Sequence, residues 1–335
     1  MFDRRGWLAW FLVAAALPAA AQVNPSPYFP VRQNGKFGFM NAQGQIVVAP
    51  QFDFADRFQE NLAPVIIGRK YGFVDRTGHF VVNPQFDFVW PFENGVALVL
   101  LDGKYGYIDR AGNTIIKPQF DQASRKFYDG LALVKVGGPF GKWGYVNLQG
   151  RFVINPQFLA ATDFSNGVAA VKMEKGWGLI DSTGKIVVEP NYEEIRQVSG
   201  GMAAARFRGK WGYLDAAGRM QVAFQFEEAR DFRDGLSAVR LQGKWGYIDR
   251  RGRFAVNPQF DAVSNFFSES MAQVYVADRH LWGYIDIRGN EVIPPAFEQT
   301  TSFSEGLAAV RFQGKWGYID KSGKFVVNPI YTDAE

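Results

Sequence analysis

One short motif recurs nine times along the chain and restricts its fold more than any other feature. The motif reads aromatic, Gly, two hydrophobic residues, Asp or Asn, two variable residues and Gly. Its copies are spaced by 34 residues, except for one spacing of 38 and one of 37. A fixed period of this size indicates a repeat architecture, in which a residue found once per unit is expected to be structural. The first aromatic residues of the nine copies are Phe37, Tyr71, Tyr105, Trp143, Trp177, Trp211, Trp245, Trp282 and Trp316.

Each unit is predicted to contribute three short strands. In the sixth unit, the segment from Trp211 to Asp215 alternates large and small residues, which is typical of a strand. The next residues, to Gly218, predict a type I turn with a Gly bulge, because Asp binds nearby backbone amides and Gly accepts positive φ. A β-branched second strand follows and is expected to end at a proline in eight units. After a loop, a third strand such as Gly306 to Val310 leads through a hairpin into the next Trp-Gly motif.

These units predict an all-β fold, built as a tandem array of three-stranded β repeats of about 34 residues. An open, solenoid-like or superhelical array is favoured, because propeller blades usually have four strands in about 40 residues or more. A closed, propeller-like ring is the alternative, in which the partial last unit completes the first. The repeated tryptophans are expected to pack in the interior, with a binding platform as the alternative. They are Trp143, Trp177, Trp211, Trp245, Trp282 and Trp316.

The first residues have the features of an export signal. Arg4 and Arg5 precede an apolar stretch from Trp7 to Leu17 that is too short to span a bilayer, and Ala19 to Ala21 offers a cleavage site. We predict a signal peptide at residues 1–21, a linker at 22–34, and a repeat array at 35–335 with eight full units and a partial ninth. The protein is therefore expected to be exported, to the periplasm or outside the cell, and not to span the membrane once processed. A short N-terminal anchor helix is the alternative.

Composition excludes several classes of function. The chain has no Cys, which excludes disulfides, thiolate nucleophiles and Cys-based metal sites. Its formal net charge of +4 is too small to imply a polyanion, and nucleic acid is not an expected partner. Neither His79 nor His280 lies in a recognisable triad pattern, and each Asp-x-x-Gly turn offers only one carboxylate for a calcium ion. We therefore predict no enzyme activity, no catalytic residue, no metal and no cofactor.

The repeated motifs of the sequence also resemble those of a known family. Lys-Trp-Gly-Tyr-Ile-Asp, a Gly turn, Val-Val-Asn-Pro-x-Phe-Asp and Glu-Gly-Leu-Ala-Ala-Val recur in fixed order, and together they resemble the WG-repeat (KWG-repeat) family of bacterial β-repeat proteins. The resemblance covers about residues 35–331. It departs from the pattern at Phe37, Tyr71 and Tyr105, which replace Trp, and at Pro64 in a third strand. The resemblance implies an all-β array that serves as a binding or interaction module, without catalytic residues or a cofactor.

Charge recurs at fixed places in the unit. The variable turn positions and the residue after the turn Gly hold eleven basic residues and no acidic one, whereas the loop after the proline is mainly acidic. Stacked units would then carry a basic stripe and an acidic stripe, with ordinary solubility and edge protection as the alternative explanation. Trp90 stands where other loops carry polar residues. The candidate binding residues are Trp90, Arg76, Arg110, Arg219, Arg250, Arg251, Arg253 and Arg288.

These observations predict a non-enzymatic exported scaffold that binds a partner protein along an extended surface. The alternative function is binding of a cell-envelope glycan or anionic polysaccharide, through aromatic residues and the basic stripe. The two hypotheses differ in their expected salt dependence, because contacts between a stripe of cations and a polyanion weaken as salt screens them.

Overall fold

The computed structural model describes residues 27–333 and shows nine small antiparallel sheets in chain order. The predicted signal peptide lies outside the described residues. Within residues 27–333 there is no α-helix, and no sheet closes into a barrel. Two short 3-10 turns, Gly138–Phe140 and Ala277–Arg279, occupy the places where the repeat period is extended. The all-β repeat prediction is confirmed at this level.

Sheets 2 to 9 each contain four strands in sequential order, and sheet 1 contains three. We name the strands, in chain order, the lead strand, the alanine strand, the Trp-Gly strand and the proline strand. Sheet 1 lacks a lead strand among the described residues. The lead strands are Phe54–Ala55, Phe88–Val89, Gln122–Ala123, Ala160–Ala161, Glu194–Ile195, Glu228–Ala229, Ala262–Val263 and Gln299–Thr300.

The alanine strand and the Trp-Gly strand form the hairpin at the centre of each sheet. The alanine strands are Phe29–Gln33, Ala63–Ile67, Val96–Leu101, Ala132–Val136, Val168–Met173, Met202–Phe207, Leu236–Leu241, Met271–Val276 and Leu307–Phe312. The Trp-Gly strands are Lys36–Met40, Lys70–Val74, Lys104–Asp109, Lys142–Val146, Gly176–Asp181, Lys210–Asp215, Lys244–Asp249, Leu281–Asp286 and Lys315–Asp320. The predicted order, in which the third strand of one unit pairs with the first strand of the next, is confirmed.

The proline strand forms one edge of every sheet. These strands are Ile46–Phe52, Phe80–Phe86, Thr114–Phe120, Phe152–Phe158, Ile186–Tyr192, Met220–Phe226, Phe254–Phe260, Glu291–Phe297 and Phe325–Tyr331. The prediction that the proline ends this strand is wrong. In sheet 7, Pro258 is the fifth of seven residues, because a bulge there removes the need for a ladder bond from its nitrogen.

The bulge explains the glycine of the Trp-Gly pair. Between the pairs Trp245 with Phe260 and Tyr247 with Val256, the single residue Gly246 faces three residues of the proline strand. A Cβ on Gly246 would lie 2.4 Å from the carbonyl oxygen of Val256, which is too close for any side chain at this position. All nine glycines at this position meet the facing backbone at less than 3 Å in the same way.

The turn between the Trp-Gly and proline strands has the predicted geometry. In sheet 6, the side chain of Asp215 accepts hydrogen bonds of 2.9 Å from the backbone N–H groups of Ala217 and Arg219. The N–H of Gly218 donates to the carbonyl of Asp215 at 2.9 Å, and Gly218 has a φ of +77°. These contacts form a type I turn closed by a Gly bulge, so the recurrent Asp serves the backbone of its own turn.

The hydrophobic core lies between neighbouring sheets. Eight buried clusters fill the eight junctions, and each contains side chains from two consecutive sheets. At the junction of sheets 6 and 7, Tyr213 and Phe226 of the first sheet pack with Phe232 and Val239 of the second. Each fully buried side chain of this size contributes about 1.5–3 kcal/mol through removal from water. Since every sheet depends on its neighbours, the array is expected to unfold cooperatively.

The first sheet begins within the segment that was expected to be a linker. Phe29–Gln33 pairs with Lys36–Met40 along its whole length, and Pro30 lies opposite Phe39. A proline is tolerated there because this strand has only one neighbour, so half of its N–H groups face away from any strand. The ordered repeat array therefore includes residues ahead of 35.

The two terminal sheets lack one contact that all eight junctions share. At each junction the turn glycine of one sheet packs on a valine or isoleucine of the preceding proline strand. For example, a Cβ on Gly218 would meet the Val188 side chain at 2.3 Å. Gly44 of sheet 1 has nothing within 4 Å of its Cβ position, and the corresponding Val327 of sheet 9 is partly exposed.

Candidate binding surfaces

Four of the six repeated tryptophans lie in or against the junction clusters, namely Trp143, Trp177, Trp211 and Trp245. Trp211 and Trp245 are buried, with 6% and 7% of their surface exposed, and the other four are partly buried. The neighbouring tyrosine of the motif links one sheet to the next. The hydroxyl of Tyr145 in sheet 4 donates to the carbonyl of Thr162 in sheet 5 at 2.8 Å. Burial raises the pKa of Tyr247, in the same position of sheet 7, to about 12, so this hydroxyl stays a neutral donor.

Basic residues directly after the turn Asp reach the loop of the preceding sheet. The guanidinium of Arg110 donates to the carbonyl of Glu60 at 2.6 Å, and Lys321 pairs with Glu269 at 2.9 Å. Arg76 stacks on the ring of Tyr28 at 3.8 Å. These members of the predicted basic stripe therefore connect sheets, which is a sufficient reason for their recurrence.

Other candidates of the basic stripe remain open to solvent. Arg219 and Arg253 follow the turn Gly, pair with their own turn aspartates at 2.8 and 2.6 Å, and keep 76% and 70% of their side chains exposed. Arg251 and Arg288 are exposed. Arg250 is also exposed, although its guanidinium lies beside Gly200 in the loop of the preceding sheet. The structure thus separates the predicted stripe into residues that join sheets and residues that are available for contact.

The acidic residues that follow the proline strand also join sheets. The carboxylate of Asp87 accepts from the Lys70 ammonium at 2.6 Å in sheet 2 and from the backbone N–H of Asp102 at 2.7 Å in sheet 3. The Lys70 hydrogen bond holds the pKa of Asp87 below its usual range. The Lys–Asp pair of this kind recurs at Lys36–Asp53, Lys70–Asp87, Lys104–Asp121 and Lys244–Asp261. Because the lysine of each pair keeps 43–49% of its side chain exposed, each pair adds little stability by itself.

Trp90 is half-buried between aromatic neighbours. Its ring lies 4.6 Å from Phe88 and 5.8 Å from Tyr105, and its backbone N–H donates to Leu98. One side of the indole lines a shallow cavity of about 230 Å³ that also includes Pro64. Its position therefore combines a packing role with limited access from solvent.

The histidine and paired glutamate side chains, which are the residue types most suited to acid–base chemistry, lie apart from one another and contact other residues. His79 contacts the hydroxyl of Thr77 at 2.6 Å, and His280 lies 3.3 Å from the hydroxyl of Tyr275. Glu193 accepts from a turn N–H, and Glu194 pairs with Arg196 at 3.2 Å. Residues 27–333 contain no group of three or more His, Asp or Glu side chains that could hold a metal ion. No helix in this part of the chain is long and apolar enough to cross a membrane.

A further exposed surface follows the proline strands, and sequence patterns do not single it out. The first two residues of these strands include eleven apolar side chains that are each 36–60% exposed. We name this row the apolar edge. It consists of Ile46, Val47, Phe80, Val81, Phe152, Val153, Ile186, Met220, Phe254, Val292 and Val326. β-Branched and aromatic residues at these positions suit a strand, so composition alone gives no sign that they face solvent.

Comparison with known proteins relates this architecture to a known sequence repeat. The family model for the WG containing repeat matches nine consecutive segments of the chain. The segments are 37–71, 71–105, 105–138, 143–176, 177–211, 211–245, 245–278, 282–316 and 316–335. Each of the first eight segments begins in the Trp-Gly strand of one sheet and continues through the alanine strand of the next, so consecutive repeats interlock. No curated protein matches the chain by sequence.

Solved structures with β-propeller-like folds are similar in shape. A crystal structure of the eukaryotic initiation factor has a TM-score of 0.54 and 9% identity, over 91% of this chain and 97% of that chain. The structure of Kluyveromyces lactis Hsv2p has a TM-score of 0.39 and 10% identity, over 68% of this chain and 89% of that chain. At such identity the first likeness supports the arrangement of repeated small sheets and says nothing of function.

Proposed function

Because the chain belongs to the WG-repeat family and its recurring residues join one sheet to the next, we propose that it is a non-enzymatic, exported scaffold. The scaffold binds a partner protein along an extended surface. The observation that carries this proposal is the apolar edge, which has members in eight of the nine sheets. Contiguous apolar surface on the outside of a protein is typical of an interaction site, whereas single exposed apolar residues are ordinary.

Two aromatic members of the apolar edge pack against the preceding sheet. Phe80 packs edge-on against Phe52 at 6.0 Å, and Phe254 packs in the same way against Phe226 at 6.4 Å. One face of each ring therefore closes a junction, and the other remains exposed. A partner that lies across several sheets would cover these faces together.

Basic residues border the apolar edge and indicate the chemistry of the partner. Arg219 and Arg253 directly precede the exposed residues Met220 and Phe254, and both guanidinium groups reach solvent. A partner segment with apolar side chains and acidic neighbours complements this surface. The tryptophans offer less support for the glycan alternative, since Trp211 and Trp245 are buried and a sugar ring could not stack on them.

We also propose that the sheets form an open array, which makes the apolar edge an extended surface. The glycine contact found at every junction is missing at Gly44 and Val327. Ile330 and Tyr331 in the last strand are 65% and 48% exposed, whereas the residue equivalent to Tyr331 is buried or half-buried in the other sheets. A closed ring would cover these positions with the first sheet.

The test is capture of partners from bacterial envelope extract on the immobilised protein. The edge variant carries Val47→Asp and Val153→Asp, whose parent residues are 36% and 42% exposed. The control variant carries Ile67→Asp, at a 40% exposed site in an alanine strand. We expect a specific protein to be retained by wild type and control and lost by the edge variant, with unchanged circular dichroism. Retention of the same proteins by the edge variant would exclude this surface as the binding site.

A further inference from the structure

Two neighbouring loops carry arginines at positions where the other loops have none. Arg196 and Arg230 take the position at which the remaining lead strands are followed by Asp56, Trp90, Ser124, Thr162, Ser264 and Thr301. Arg233 takes a position where no other loop has a basic residue. In an array whose common residues hold the sheets together, a cluster confined to sheets 6 and 7 needs a separate explanation.

These arginines line one cavity across the loops of sheets 6, 7 and 8. The cavity has a volume of about 360 Å³, and its walls include Asp231 and Phe266 besides the three arginines. This volume is within the range of sites that take small organic molecules. An extended polypeptide would need a longer groove, so the cavity differs in kind from the apolar edge.

Each of the three guanidinium groups lies over an aromatic ring. Arg196 lies 4.4 Å from the ring centre of Trp211, and Arg230 lies 5.1 Å from that of Trp245. Arg233 lies 4.0 Å from the ring centre of Phe266. Stacking of this kind engages the flat face of a guanidinium and leaves its N–H groups free to donate.

The hydrogen-bonding capacity of the cavity is only partly used. Arg196 donates to Glu194 at 3.2 Å and to the carbonyl of Ala229 at 2.8 Å. The guanidinium of Arg230 makes no hydrogen bond or ion pair with any residue from 27 to 333. Arg233 has only a long contact of 3.9 Å with Asp234, so two planar cations retain donors for a ligand.

The charges in the cavity favour an anion. Three guanidinium groups face one carboxylate of the lining, Asp231. Desolvation raises the pKa of this carboxyl, although Arg196 and Arg230 oppose the shift. The negative charge of Asp231 weakens the attraction of the cavity for an anion, so removal of this charge provides a test of the site.

We propose that this cavity binds a small organic anion, through a carboxylate or phosphate group held by Arg230 and Arg233. Planar guanidinium groups match both kinds of oxyanion with paired hydrogen bonds. The side of Phe266 that faces the cavity supplies an apolar contact for the organic part of the ligand. The site adds a small-molecule ligand to the protein-binding role of the apolar edge, and neither depends on the other.

Isothermal titration calorimetry of the full chain with citrate, galacturonate and inorganic phosphate tests the site. We expect saturable binding of at least one probe, and the comparison of the three distinguishes a carboxylate from a phosphate ligand. Arg230→Gln is expected to weaken binding about tenfold or more, since a charged hydrogen bond contributes about 1.5–3 kcal/mol. Asp231→Asn is expected to tighten binding, because it removes the opposing charge.

The control is Arg219→Gln, which removes an exposed arginine of sheet 6 outside the cavity and should leave the affinity unchanged. If Arg230→Gln lowers the melting temperature, Arg233→Gln replaces it, since the ring partner of Arg233 is a loop residue. Absence of binding by all three probes would overturn the proposal. Equal weakening by Arg219→Gln would overturn it as well, because it would indicate attraction to the general surface charge. Calorimetry on the Val47→Asp, Val153→Asp variant separates this site from the apolar edge.

Discussion

Replacement of Gly246 by alanine should destabilise the array through a backbone collision. A Cβ at this position would lie 2.4 Å from the carbonyl oxygen of Val256 and 2.7 Å from the nitrogen of Pro258. Real Cβ atoms essentially never show contacts below 3.0 Å, so the facing backbone must shift to accommodate the methyl group. Overpacking of this kind costs about 1–3 kcal/mol, and the stiffer unfolded chain returns about 0.4–1 kcal/mol. We expect a net loss of about 1 kcal/mol.

The assay is urea unfolding followed by tryptophan fluorescence. The control is Gly235→Asn, at a loop position with a φ of +85° and open space around its Cβ site. Asn61 and Ser270 occupy the equivalent position with φ of +66° and +69°, so this change should cost little. If Gly246→Ala unfolds at the same urea concentration as wild type, the bulge does not explain the glycine of the motif. A cost as large for Gly235→Asn would show that any glycine replacement is harmful.

Three further outcomes are expected. Tyr145→Phe leaves the carbonyl of Thr162 without its hydrogen-bond donor. The free energy of unfolding, measured in urea, should fall by about 1 kcal/mol. An unchanged urea midpoint of unfolding would mean that water replaces the hydroxyl. Hydrogen bonding, mainly from the Thr183 side chain, holds the pKa of Asp181 below its usual value. The stability that Asp181 contributes is therefore present above about pH 4 and is lost as the pH falls through its folded pKa. Asp181→Asn should lose less stability on acidification than the wild type, and equal acid sensitivity of the two proteins would contradict this. Val188→Ala should cost about 2 kcal/mol at its junction, and Val327→Ala at the last sheet should cost less than about 1 kcal/mol; equal costs would imply that the last sheet is covered.

The sequence predicts the repeated hairpin well because its signals are local. The Asp-x-x-Gly turn and the alternation around Trp211 specify the strands and their order without help from distant residues. The lead strand escaped prediction because two residues such as Glu228 and Ala229 carry no periodic pattern. The prediction that Pro258 ends its strand is wrong because the missing N–H of a proline signals a strand end unless a bulge is known.

The candidate sites were harder to predict because charge at a fixed position does not reveal its partner. Arg110 and Lys321 recur at one turn position, and only the neighbouring sheet shows that they bind the preceding loop. The cavity arginines did carry a sequence signal, since Arg196 and Arg230 interrupt a column that is otherwise uncharged or acidic. A search for departures from the repeat would have found them, whereas a search for recurrence passes over them.

The distance between the two terminal sheets tests the open array most directly. The chain has no cysteine, so pairs of introduced cysteines can carry spin labels at chosen sites. The terminal pair is Gln43→Cys with Val326→Cys, and the reference pair is Ala217→Cys with Val187→Cys, at the same positions of two adjacent sheets. We expect the terminal pair to give a clearly longer distance than the reference pair. Equal distances for the two pairs would show that sheet 9 packs on sheet 1, and the account of an extended binding surface would fail.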